Sequence, residues 1–458
     1  RNGSLLARAV RVGRDTALAR IIELVRKAQN SKPPISRLAD RVAAVFVPVV
    51  VVIALATALI WYLVGPEPRL TYMLVTAVTV LIIACPCALG LATPISIMIG
   101  IGKAAERGIL IRSGDALQQA SNLTTLVLDK TGTVTEGRPR VIRFETGWGN
   151  DSNTAQTLSQ QRLLALLHAL ELRSEHPLAE AVVRYAEEQL QSAPAVLSVE
   201  DFANRSGQGI VASVEGVRVC VGNRRLMDAQ GINLDAITLP VADWQAAAET
   251  VVYVALDGVC RALLSIVDPI RSDAKAAIAR LHGEGLQVVM LSGDNQATAQ
   301  AVARQLGIDQ VFAELQPADK LAQIQSLQAQ GERVGMVGDG INDAPALSQA
   351  EVGFAIGTGT DVAIESADVA LMQASLHGVA DAIALSRATL SNIRQNLWGA
   401  FIYNGLGIPV AAGLLYPLTG LLLNPVIAGL AMSLSSVTVV SNANRLRMFR
   451  FAEHPRAE

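Results

Sequence analysis

Long segments without a charged residue stand near both ends of the chain. Val42–Val64 is the first, and Leu70–Gly102 follows it after a short loop. A third uncharged stretch is divided near Pro417 into Leu397–Tyr416 and Leu421–Val440. Because about 20 apolar residues cross the ~30 Å core of a bilayer as a helix, this pattern predicts four transmembrane helices, joined as two hairpins by short loops.

Cationic residues lie on one side of these hairpins. The loops inside the two hairpins together contain a single arginine. The other ends of the four segments are flanked by Arg37, Arg41, Lys103, Arg107, Arg112, Arg387, Arg394, Arg445, Arg447 and Arg450. Since cytosolic loops are enriched in Lys and Arg, we expect residues 103–394 and both chain ends in the cytosol.

The composition agrees with a membrane protein. Of the 458 residues, 51% are hydrophobic and 17% are charged, whereas soluble domains have about 25% charged residues. Helices buried in a large soluble core are the alternative interpretation. The net charge of −2 argues against a nucleic-acid partner. Four cysteines are too few for a disulfide scaffold, and the apolar content excludes a disordered chain.

The segment before the first apolar stretch contains a predicted strand end, Leu5–Val12, and a predicted amphipathic helix, Thr16–Asn30, with Asp15 placed to cap it. The sequence begins at Arg1 without an initiator methionine or a signal-peptide pattern. We therefore expect the chain to be a fragment of a longer protein.

The middle of the chain alternates short apolar runs with helical patterns. The predicted strands are Thr124–Asp129, Ala262–Val267, Leu286–Leu291, Arg333–Val337 and Val352–Ile356. The predicted helices, each closed by a glycine, are Ser272–His282, Gln296–Leu306 and Asp319–Gln330. This order predicts a doubly wound, Rossmann-like parallel sheet that binds its ligand beyond the carboxyl ends of the strands. Glu136 to about Cys260 predicts a separate α+β domain inserted into it.

Acidic side chains follow three of these strands. The first strand ends in Asp129-Lys130-Thr131-Gly132-Thr133, and Asp294 and Asp339 follow two others. A carboxylate on a strand end can attack a phosphoryl group while backbone N–H groups of the following turn bind its oxygens. Asp339 and Asp343 could hold Mg²⁺, and Lys320 could neutralise the phosphoryl charge. Ordinary loop aspartates that cap helices are the alternative.

These motifs resemble the phosphorylation domain of P-type ATPases, which is a haloacid-dehalogenase-like domain. The similar motifs are residues 129–133, Ser292-Gly293-Asp294 and Gly338-Asp339-Gly340-Ile341-Asn342-Asp343. The resemblance implies that ATP phosphorylates Asp129 and that Mg²⁺ is held by Asp129, the carbonyl of Thr131 and Asp339. The other catalytic residues that it implies are Lys130, Thr131, Ser292, Gly293, Asp294, Lys320 and Asp343. The family usually has threonine at the position of Ser292.

Thr131 stands where related phosphatases commonly place a second aspartate as general acid and base. A threonine side chain cannot take that role. We therefore expect an aspartyl phosphate on Asp129 to persist until a conformational change allows its hydrolysis, as a pump requires.

In the inserted domain, Ser174-Glu175-His176-Pro177-Leu178 resembles the nucleotide-domain motif of the heavy-metal subfamily of these ATPases. The resemblance implies that the adenosine of ATP is bound by this motif together with residues before and after it. These residues are Glu171, His176, Pro177, Gly207, Gly209, Gly222 and Asn223. A histidine at a helix start is the alternative interpretation of His176.

Cys85-Pro86-Cys87 lies in the middle of the second apolar segment. In a regular helix, residues two apart point about 200° away from each other, so the two sulfurs could not face one ion. Pro86 lacks a backbone N–H and displaces the carbonyl of Ile82, which opens the helix and leaves a carbonyl free at membrane depth. Both thiols could then turn towards one site. A proline kink with two bystander cysteines is the alternative.

Candidate partners for these cysteines lie in the last two apolar segments, which contain no Asp, Glu, Lys, Arg or His. Tyr403 and Asn404 are in the third segment, and Met432, Ser435 and Ser436 share a helical face in the fourth. Two thiolates and a thioether favour Cu(I), whereas Zn²⁺ would favour an added carboxylate or imidazole. The set Cys85, Cys87, Tyr403, Asn404, Met432 and Ser435 is similar to that of copper-exporting members of the subfamily. Cys220 and Cys260 are interpreted as buried thiols.

Together with the soft sulfur ligands, the resemblance implies a multi-domain protein of a bacterial inner or plasma membrane that exports Cu(I), received from a cytosolic copper chaperone, at the expense of ATP. The alternatives are a Zn²⁺ or Cd²⁺ pump, and a non-transporting membrane-anchored phosphatase or copper-binding remnant. The family's Thr-Gly-Glu actuator loop is not in the sequence, so we do not expect normal turnover. The predicted divisions are 1–41 (actuator tail and linker), 42–102 (first helix pair), 103–135 and 261–392 (phosphorylation domain), 136–260 (nucleotide-binding domain), 393–447 (second helix pair) and 448–458 (tail).

Overall fold

The computed structural model describes most of the chain from residue 33 onwards. The described residues are 22, 25–26, 28–29, 31, 33–146, 160–174, 176–190, 197–205, 207–234, 238–247, 249–339, 343–357 and 367–452. The predicted strand Leu5–Val12 lies outside them, and of the predicted helix Thr16–Asn30 only five positions are described, all helical. Glu175 and residues 340–342 also lie outside the described residues.

Fifteen α-helices and thirteen strands are numbered here in chain order among the described residues. The helices are α1 Pro34–Val64, α2 Arg69–Ile83, α3 Cys87–Glu106, α4 Gly114–Ala120, α5 Gln160–Glu171, α6 Pro177–Gln189, α7 Arg224–Ala229, α8 Thr238–Ala246, α9 Ala274–Gly283, α10 Gln296–Leu306, α11 Pro317–Ala329, α12 Ala344–Gln349, α13 His377–Ala411, α14 Tyr416–Thr419 and α15 Pro425–Asn444. The strands are β1 Ile109–Ile111, β2 Thr125–Asp129, β3 Arg140–Thr146, β4 Val199–Arg205, β5 Gly209–Val214, β6 Val217–Gly222, β7 Thr250–Leu256, β8 Val259–Val267, β9 Gln287–Leu291, β10 Gln310–Phe312, β11 Val334–Gly338, β12 Val352–Ile356 and β13 Val369–Leu371.

The chain divides into two compact units. The first, called the helical unit, comprises residues 1–123, 351–373 and 378–455. The second, called the catalytic unit, comprises the described residues of 124–350 and 374–377.

Three helical segments of the described chain are long and apolar enough to cross a membrane. They are Pro34–Val64, then Arg69–Glu106, which consists of α2 and α3 on either side of a break, and Pro425–Met448. Two of the predicted boundaries are wrong, because α13 ends at Ala411 rather than Tyr416 and α15 begins at Pro425 rather than Leu421. Gly413 has a φ of +97° just after α13. At α15 the Asn424 side chain accepts a hydrogen bond from the Val426 N–H, which caps a helix that starts with proline.

The helical unit also contains three short strands. β13 pairs in parallel with β12 and antiparallel with β1. Of these three strands, the sequence patterns predicted only β12. β1 and β13 have three residues each, which is too short for an alternating or continuous apolar pattern to be distinctive.

The parallel sheet of the catalytic unit has the strand order β11-β2-β9-β10. β2, β9 and β11 are predicted strands, confirmed to within one residue at each end. Helix α10 matches its prediction at both ends. Asn295 accepts a hydrogen bond from the Thr298 N–H at its start, and Gly307 is left-handed at its end.

The segment inserted between β2 and β9 forms its own antiparallel sheet, in the order β3-β8-β7-β6-β5-β4. The prediction that Ala262–Val267 belongs to the parallel sheet is therefore wrong. These residues lie in β8, which pairs antiparallel with β3 and β7, and the sheet runs past Cys260, the predicted end of the inserted domain. Its two faces are apolar, with α5 and α6 on one side and α7 and α8 on the other.

Candidate functional site

Asp129 lies at the carboxyl end of β2, between the neighbouring ends of β9 and β11. It is 6% exposed, and the next residues form a tight turn in which Gly132 has a φ of +75°. Within this turn the Thr133 hydroxyl is fully buried and has no hydrogen-bond partner in the described part of the chain. A buried hydroxyl of this kind is destabilising unless a ligand or water satisfies it.

Lys320 joins two carboxylates at this edge of the sheet. Its Nζ atom lies 2.6 Å from Asp129 Oδ1 and 2.8 Å from Asp343 Oδ1. Burial lowers the pKa of the Lys320 ammonium, but the two carboxylates more than offset this effect and hold its pKa above the usual range. The lysine is therefore a fixed positive charge beside the predicted nucleophile.

The carboxylates at this edge repel one another. Burial, followed by the negative charge of Asp343, raises the pKa of Asp129 to about 7, although Lys320 opposes the shift. Asp339 adds a smaller contribution of the same sign, and burial also raises the pKa of Asp343. An added cation would relieve this repulsion.

The residues at the edge fit Mg²⁺. Mg²⁺ is usually held by one or two carboxylates together with waters and substrate phosphates, and Asp129 and Asp339 are two such carboxylates. A Cβ atom at Gly132 would lie 3.8 Å from Asp339 Oδ2, so Asp339 faces the turn that follows Asp129. In the described residues no three His, Cys, Asp or Glu side chains form a ready-made metal centre. A carbonyl or phosphate oxygen would have to complete the site.

Lys130 and Asp294 form an ion pair across the same edge. Asp294 follows β9, and its N–H donates to the Ser292 hydroxyl at 3.0 Å. Ser292 itself is buried, and its N–H donates to the carbonyl of Phe312 on β10 at 2.9 Å. The structure thus brings the predicted residues of the first two motifs together with Lys320, Asp339 and Asp343.

Sequence reasoning missed the residues that close the base of the inserted segment. The Thr135 hydroxyl donates to Asp268 Oδ2 at 2.5 Å, and the Arg138 N–H donates to Asp268 Oδ1 at 3.0 Å. The N–H of Glu136 donates to the carbonyl of Pro269 at 2.9 Å. Hydrogen bonds therefore join the two segments through which the chain passes between the parallel sheet and the inserted sheet. The Asp-Pro step after β8 was the signal in the sequence.

Two predicted nucleotide residues lie around the start of α6. His176 is its N-cap, with Nδ1 accepting from the Leu178 N–H at 3.2 Å, so the alternative interpretation of a helix-start histidine describes this contact. Pro177 is the first residue of the helix. Burial lowers the pKa of His176, against the opposing charge of Asp294. Glu171 ends α5 and is 6% exposed, and burial raises its pKa to about 7.

The predicted glycines and Asn223 form a second group. Gly209 and Gly222 are paired between β5 and β6, where a Cβ atom on Gly209 would lie 2.2 Å from the Val221 carbonyl oxygen. Asn223 donates through Nδ2 to the carbonyl of Gly207 at 2.8 Å and caps α7 through Oδ1. Close backbone packing alone therefore explains why glycine is needed at Gly209 and Gly222.

In the helical unit the apolar helix breaks at the Cys-Pro-Cys motif, as predicted. α2 ends at Ile83 and α3 begins at Cys87. The two sulfurs are joined as a disulfide, so both side chains reach one point despite their two-residue spacing. The prediction of a free Ile82 carbonyl is wrong, because the Cys85 N–H donates to it at 3.2 Å in a tighter turn. Cys85 is half-buried and Cys87 is exposed in the chain without lipid.

Parts of α13 and α15 pack on both sides of this break. Met432 lies in an apolar cluster with Val80, Ile83 and Ala84. Gly407 approaches Ile83 so closely that a Cβ atom would lie 2.5 Å from its Cγ1. Asn404 is one turn before Gly407 on α13 and therefore lies on the same face.

Two of the predicted copper ligands have unsatisfied oxygens. Asn404 Oδ1 and Ser435 Oγ are buried and have no hydrogen-bond partner in the described part of the chain. Tyr403 is 39% exposed, and together with Ser435 it lines a cavity of about 260 Å³. The other lining residues are Gln395, Asn396, Gly399, Thr438, Val439 and Asn442. Met432 makes the packing contacts expected of an ordinary apolar side chain.

A polar network that the sequence analysis did not identify ties three of these helices together. The Ser96 hydroxyl donates to Asn392 Oδ1 at 2.9 Å, and Asn396 donates to both. Asn442 on α15 donates to Asn396 Oδ1 at 2.8 Å. Ser96, Asn392 and Asn396 are buried. Asn392 and Asn396 are four positions apart on one helix, but Ser96 and Asn442 lie on other helices, and no sequence pattern connects the three helices.

The chain is similar to one protein family and to several transporters. Residues 123–351 match the haloacid dehalogenase-like hydrolase family. A copper-exporting P-type ATPase of Vibrio cholerae is 52% identical over 446 residues, which are 97% of this chain and 47% of that protein. A silver-exporting P-type ATPase of Salmonella typhimurium is 49% identical over 98% of this chain and 53% of its own length.

A solved structure of a zinc-transporting PIB-type ATPase in an E2.Pi state is also similar. It superposes with a TM-score of 0.68 at 36% identity, over 94% of this chain and 68% of that one. The chain spans about half the length of the curated relatives that it matches. With its apolar helices, the likeness to these transporters identifies an integral membrane protein.

Proposed function

Since the chain belongs to the P-type ATPases, and its residues 123–351 to the haloacid dehalogenase-like hydrolase family, we propose that it exports Cu(I) from the cytosol by way of an aspartyl phosphate on Asp129. The observation that carries the proposal is the placement of Asp129. It ends a central parallel strand and is paired with Lys320, 2.6 Å away. That arrangement suits a nucleophile that must accept a highly charged group.

In the proposed reaction an oxygen of Asp129 forms a bond to the γ-phosphorus of ATP. The bond from that phosphorus to the bridging oxygen breaks, and ADP leaves with the electron pair. Lys320 opposes the charge on the transferred group, and the Lys130–Asp294 ion pair orients the first residue of the turn. Asp129, the Thr131 carbonyl and Asp339 would hold Mg²⁺, which neutralises phosphate charge when bound. Asp343 keeps Lys320 in place, and Ser292 and Gly293 shape the loop that carries Asp294.

The absence of a carboxylate at Thr131 favours a long-lived phosphoenzyme. The side chain two residues after the nucleophile is the usual acid and base in related phosphatases, and threonine cannot supply it. This argues against the alternative of a membrane-anchored phosphatase.

We assign ATP binding to the inserted domain. Glu171, His176 and Pro177 form one group and Gly207, Gly209, Gly222 and Asn223 form another, on the resemblance to heavy-metal P-type ATPases. Support comes from the buried, high-pKa Glu171, since a buried carboxyl is otherwise an unfavourable choice at a helix end. With a pKa of about 7, the Glu171 carboxyl is protonated in a substantial fraction of molecules at neutral pH, and the protonated form can donate a hydrogen bond to a ring nitrogen of adenine.

The copper site is assigned to Cys85 and Cys87, with Met432, Tyr403, Asn404 and Ser435 around it. Supporting observations are the convergence of the two sulfurs and the packing of Met432 against the helix end that precedes them. Soft sulfur donors favour a monovalent soft ion. Copper can bind only after the disulfide is reduced, because thiolates are the ligands.

A fourth membrane crossing by Leu397–Tyr416 completes the proposed topology. Tyr416 packs edge-on to Trp61, with ring centroids 4.9 Å apart, and Trp61 stacks on Tyr72. The end of the third apolar segment is thus level with the loop between α1 and α2. Aromatic clusters of this kind are common at membrane interfaces. With the cationic flanks on the other side, residues 103–394 and both chain ends face the cytosol, where a copper chaperone supplies Cu(I).

The first test is phosphorylation of the purified 458-residue chain in lipid. ATP labelled on its γ-phosphate is added with Mg²⁺, a thiol reductant and Cu(I), and the acid-quenched protein is counted. We expect an acid-stable, hydroxylamine-labile label that is absent in Asp129→Asn and present in the control Asp201→Asn, an exposed aspartate of β4. If the Asp129→Asn variant still acquires the phosphate label, Asp129 is not the nucleophile.

The second test identifies the ion. Cu(I) binding to the reduced chain is measured by competition with a chromophoric chelator, and Cys85→Ser and Cys87→Ser are compared with Cys260→Ser as the matched thiol control. We expect binding to be lost in the first two variants only. The zinc-transporting structural neighbour makes a Zn²⁺ or Cd²⁺ pump the second candidate. Phosphorylation stimulated by Zn²⁺ and not by Cu(I) would decide for it.

A further inference from the structure

One ion pair joins the inserted domain to the rim of the parallel sheet in the catalytic unit. Arg225, on α7, pairs with Glu314, in the loop between β10 and α11. Both side chains are largely in solvent, at 66% and 43% exposure. Neither residue belongs to the motifs used above. The chain passes between the two domains near Thr135 and Asp268, and the Thr298 hydroxyl of α10 also donates to the Glu249 carbonyl of the inserted domain at 3.3 Å.

Glu314 is held in an unfavourable backbone conformation. Its φ of +58° lies in the left-handed region, which non-glycine residues rarely adopt. Its N–H donates to the carbonyl of Asp294 at 2.8 Å, and the next residue, Leu315, donates to the carbonyl of Ser292 at 3.1 Å. The loop is therefore hydrogen-bonded to the segment that carries Asp294, the ion-pair partner of Lys130. A residue kept in this region by its surroundings often has a functional reason.

Arg225 is held in place by contacts within the inserted domain. Helix α7 begins directly after Asn223, whose Oδ1 accepts from the Leu226 N–H and whose Nδ2 donates to the Gly207 carbonyl. The arginine thus moves with the second group of predicted nucleotide residues. The ion pair connects that group to the loop next to the predicted phosphorylation site.

We propose that Arg225 and Glu314 are positioning residues that hold the nucleotide-binding domain over Asp129 during phosphoryl transfer. The proposal rests on the proposed function of Asp129 as the phosphate acceptor. A solvent-exposed pair changes an equilibrium by at most about fivefold. Such a weak contact favours the closed arrangement while still letting the domain open for nucleotide exchange.

Two measurements on the full chain test this proposal. The first is the distance between spin labels at the exposed Glu188 and Gln305, introduced as non-natural amino acids, measured with a non-hydrolysable ATP analogue bound. The second is the rate of phosphorylation at saturating ATP, set against the ATP concentration for half-maximal rate. The variants are Arg225→Glu, Glu314→Arg and the reversed double variant.

We expect each single variant to shift the label distances towards longer values and to slow phosphorylation about two- to fivefold at saturating ATP. The half-maximal ATP concentration should stay nearly constant, because adenosine binding is untouched. The reversed double variant should restore both readouts, as should Glu314→Asp. Charge controls are Glu200→Arg and Arg140→Glu, two exposed residues of the inserted domain, which should behave as the unmodified chain.

The other outcomes overturn either this proposal or the function of Asp129 on which it rests. If Arg225→Glu alone impairs phosphorylation and the reversed pair does not rescue it, the arginine acts on the nucleotide itself. If neither single variant changes the label distances, the pair does not position the domain. Loss of phosphorylation in every chain, with distances that still respond to the two single variants and recover in the double, would refute the role of Asp129 and leave the domain contact standing.

Discussion

Replacing Glu171 by glutamine should make the inserted domain more stable, and the gain should depend on pH. The carboxyl is 6% exposed at the end of α5, and burial raises its pKa from 4.5 to about 7. In the unfolded chain it ionises freely, so above pH 7 folding must bury a negative charge. Glutamine has nearly the same shape and carries no charge.

The magnitude follows from the two pKa values. Near pH 8 the folded carboxyl is ionised at a cost of about 3 kcal/mol relative to the unfolded chain, which the amide avoids. Near pH 5 the folded carboxyl keeps its proton while the unfolded one has largely lost it, and the difference falls to about 1 kcal/mol. The native stability contributed by a protonated Glu171 is thus present at low pH and lost as pH rises towards 7.

Amide hydrogen exchange of the complete chain, read by mass spectrometry on peptides of the inserted domain, measures this difference. At each pH the variant is compared with the unmodified chain, so intrinsic exchange rates cancel. We expect exchange of the slowest amides in α5 to be slowed about 100-fold near pH 8 and only a few-fold near pH 5. Glu188→Gln, an exposed glutamate on α6, is the matched control and should show no change. Equal protection at both pH values would refute the reasoning.

Three further predictions concern other parts of the chain. Gly209→Ala should lower the unfolding temperature of the inserted domain far more than Gly216→Ala, because both glycines have positive φ but only the first would place its Cβ against a carbonyl oxygen. Calorimetry of both variants checks this, with equal losses counting against it. Mg²⁺ should bind the proposed site about tenfold more tightly at pH 8 than at pH 6, because in the metal-free chain the proton of Asp129, whose pKa is about 7, competes with the cation, and equal affinities in calorimetric titrations would contradict this. Asn396→Leu should destabilise the helical unit by about 1–3 kcal/mol, because it removes the hydrogen bonds of the buried Asn396 amide with Ser96, Asn392 and Asn442, measured as earlier thermal loss of Cu(I) binding.

Local signals explain why some elements were predicted almost to the residue. Helix α10 has an asparagine that can cap its first turn and a glycine free to adopt a left-handed conformation at its end, and both act within four residues of the helix. Strands β2, β9 and β11 are continuous apolar runs because both faces of a parallel sheet are covered. These signals lie within the element itself, so they can be recognised without knowing which other elements it contacts.

The wrong assignment of Ala262–Val267 has the opposite cause. The run is as apolar as a parallel strand, but in the structure both of its neighbours are antiparallel strands of the inserted sheet. Pairing partners are chosen through tertiary contacts, and an apolar run of this length does not encode them. The same limitation kept the Arg225–Glu314 pair hidden, since 89 positions separate the two residues and no pattern connects them.

The predicted active-site edge could be derived from the sequence only in part. That Asp129, Asp294 and Asp339 would meet followed from the rule that parallel strands end at one edge. The partners could not be derived in the same way. Lys320 reaches Asp129 from α11, a helix that follows β10, and its second partner Asp343 is the N-cap residue of α12. Which carboxylates a long, flexible side chain selects depends on burial and on mutual repulsion, and these exist only after folding.

The chemistry of the proposed copper site depends on what its neutral side chains can and cannot do. Asn404 Oδ1 and Ser435 Oγ are buried without a hydrogen-bond partner among the described residues, and each such atom costs about 1–3 kcal/mol while it stays unpaired. Neither is a soft ligand, so a Cu(I) ion would take the two sulfurs first. The Ser435 hydroxyl can donate a hydrogen bond to a thiolate, whereas the Asn404 oxygen can only accept one from water or interact with the ion's charge. For the proposed copper site we therefore expect Ser435 and Asn404 to gain a partner when the reduced Cys85 and Cys87 bind the ion.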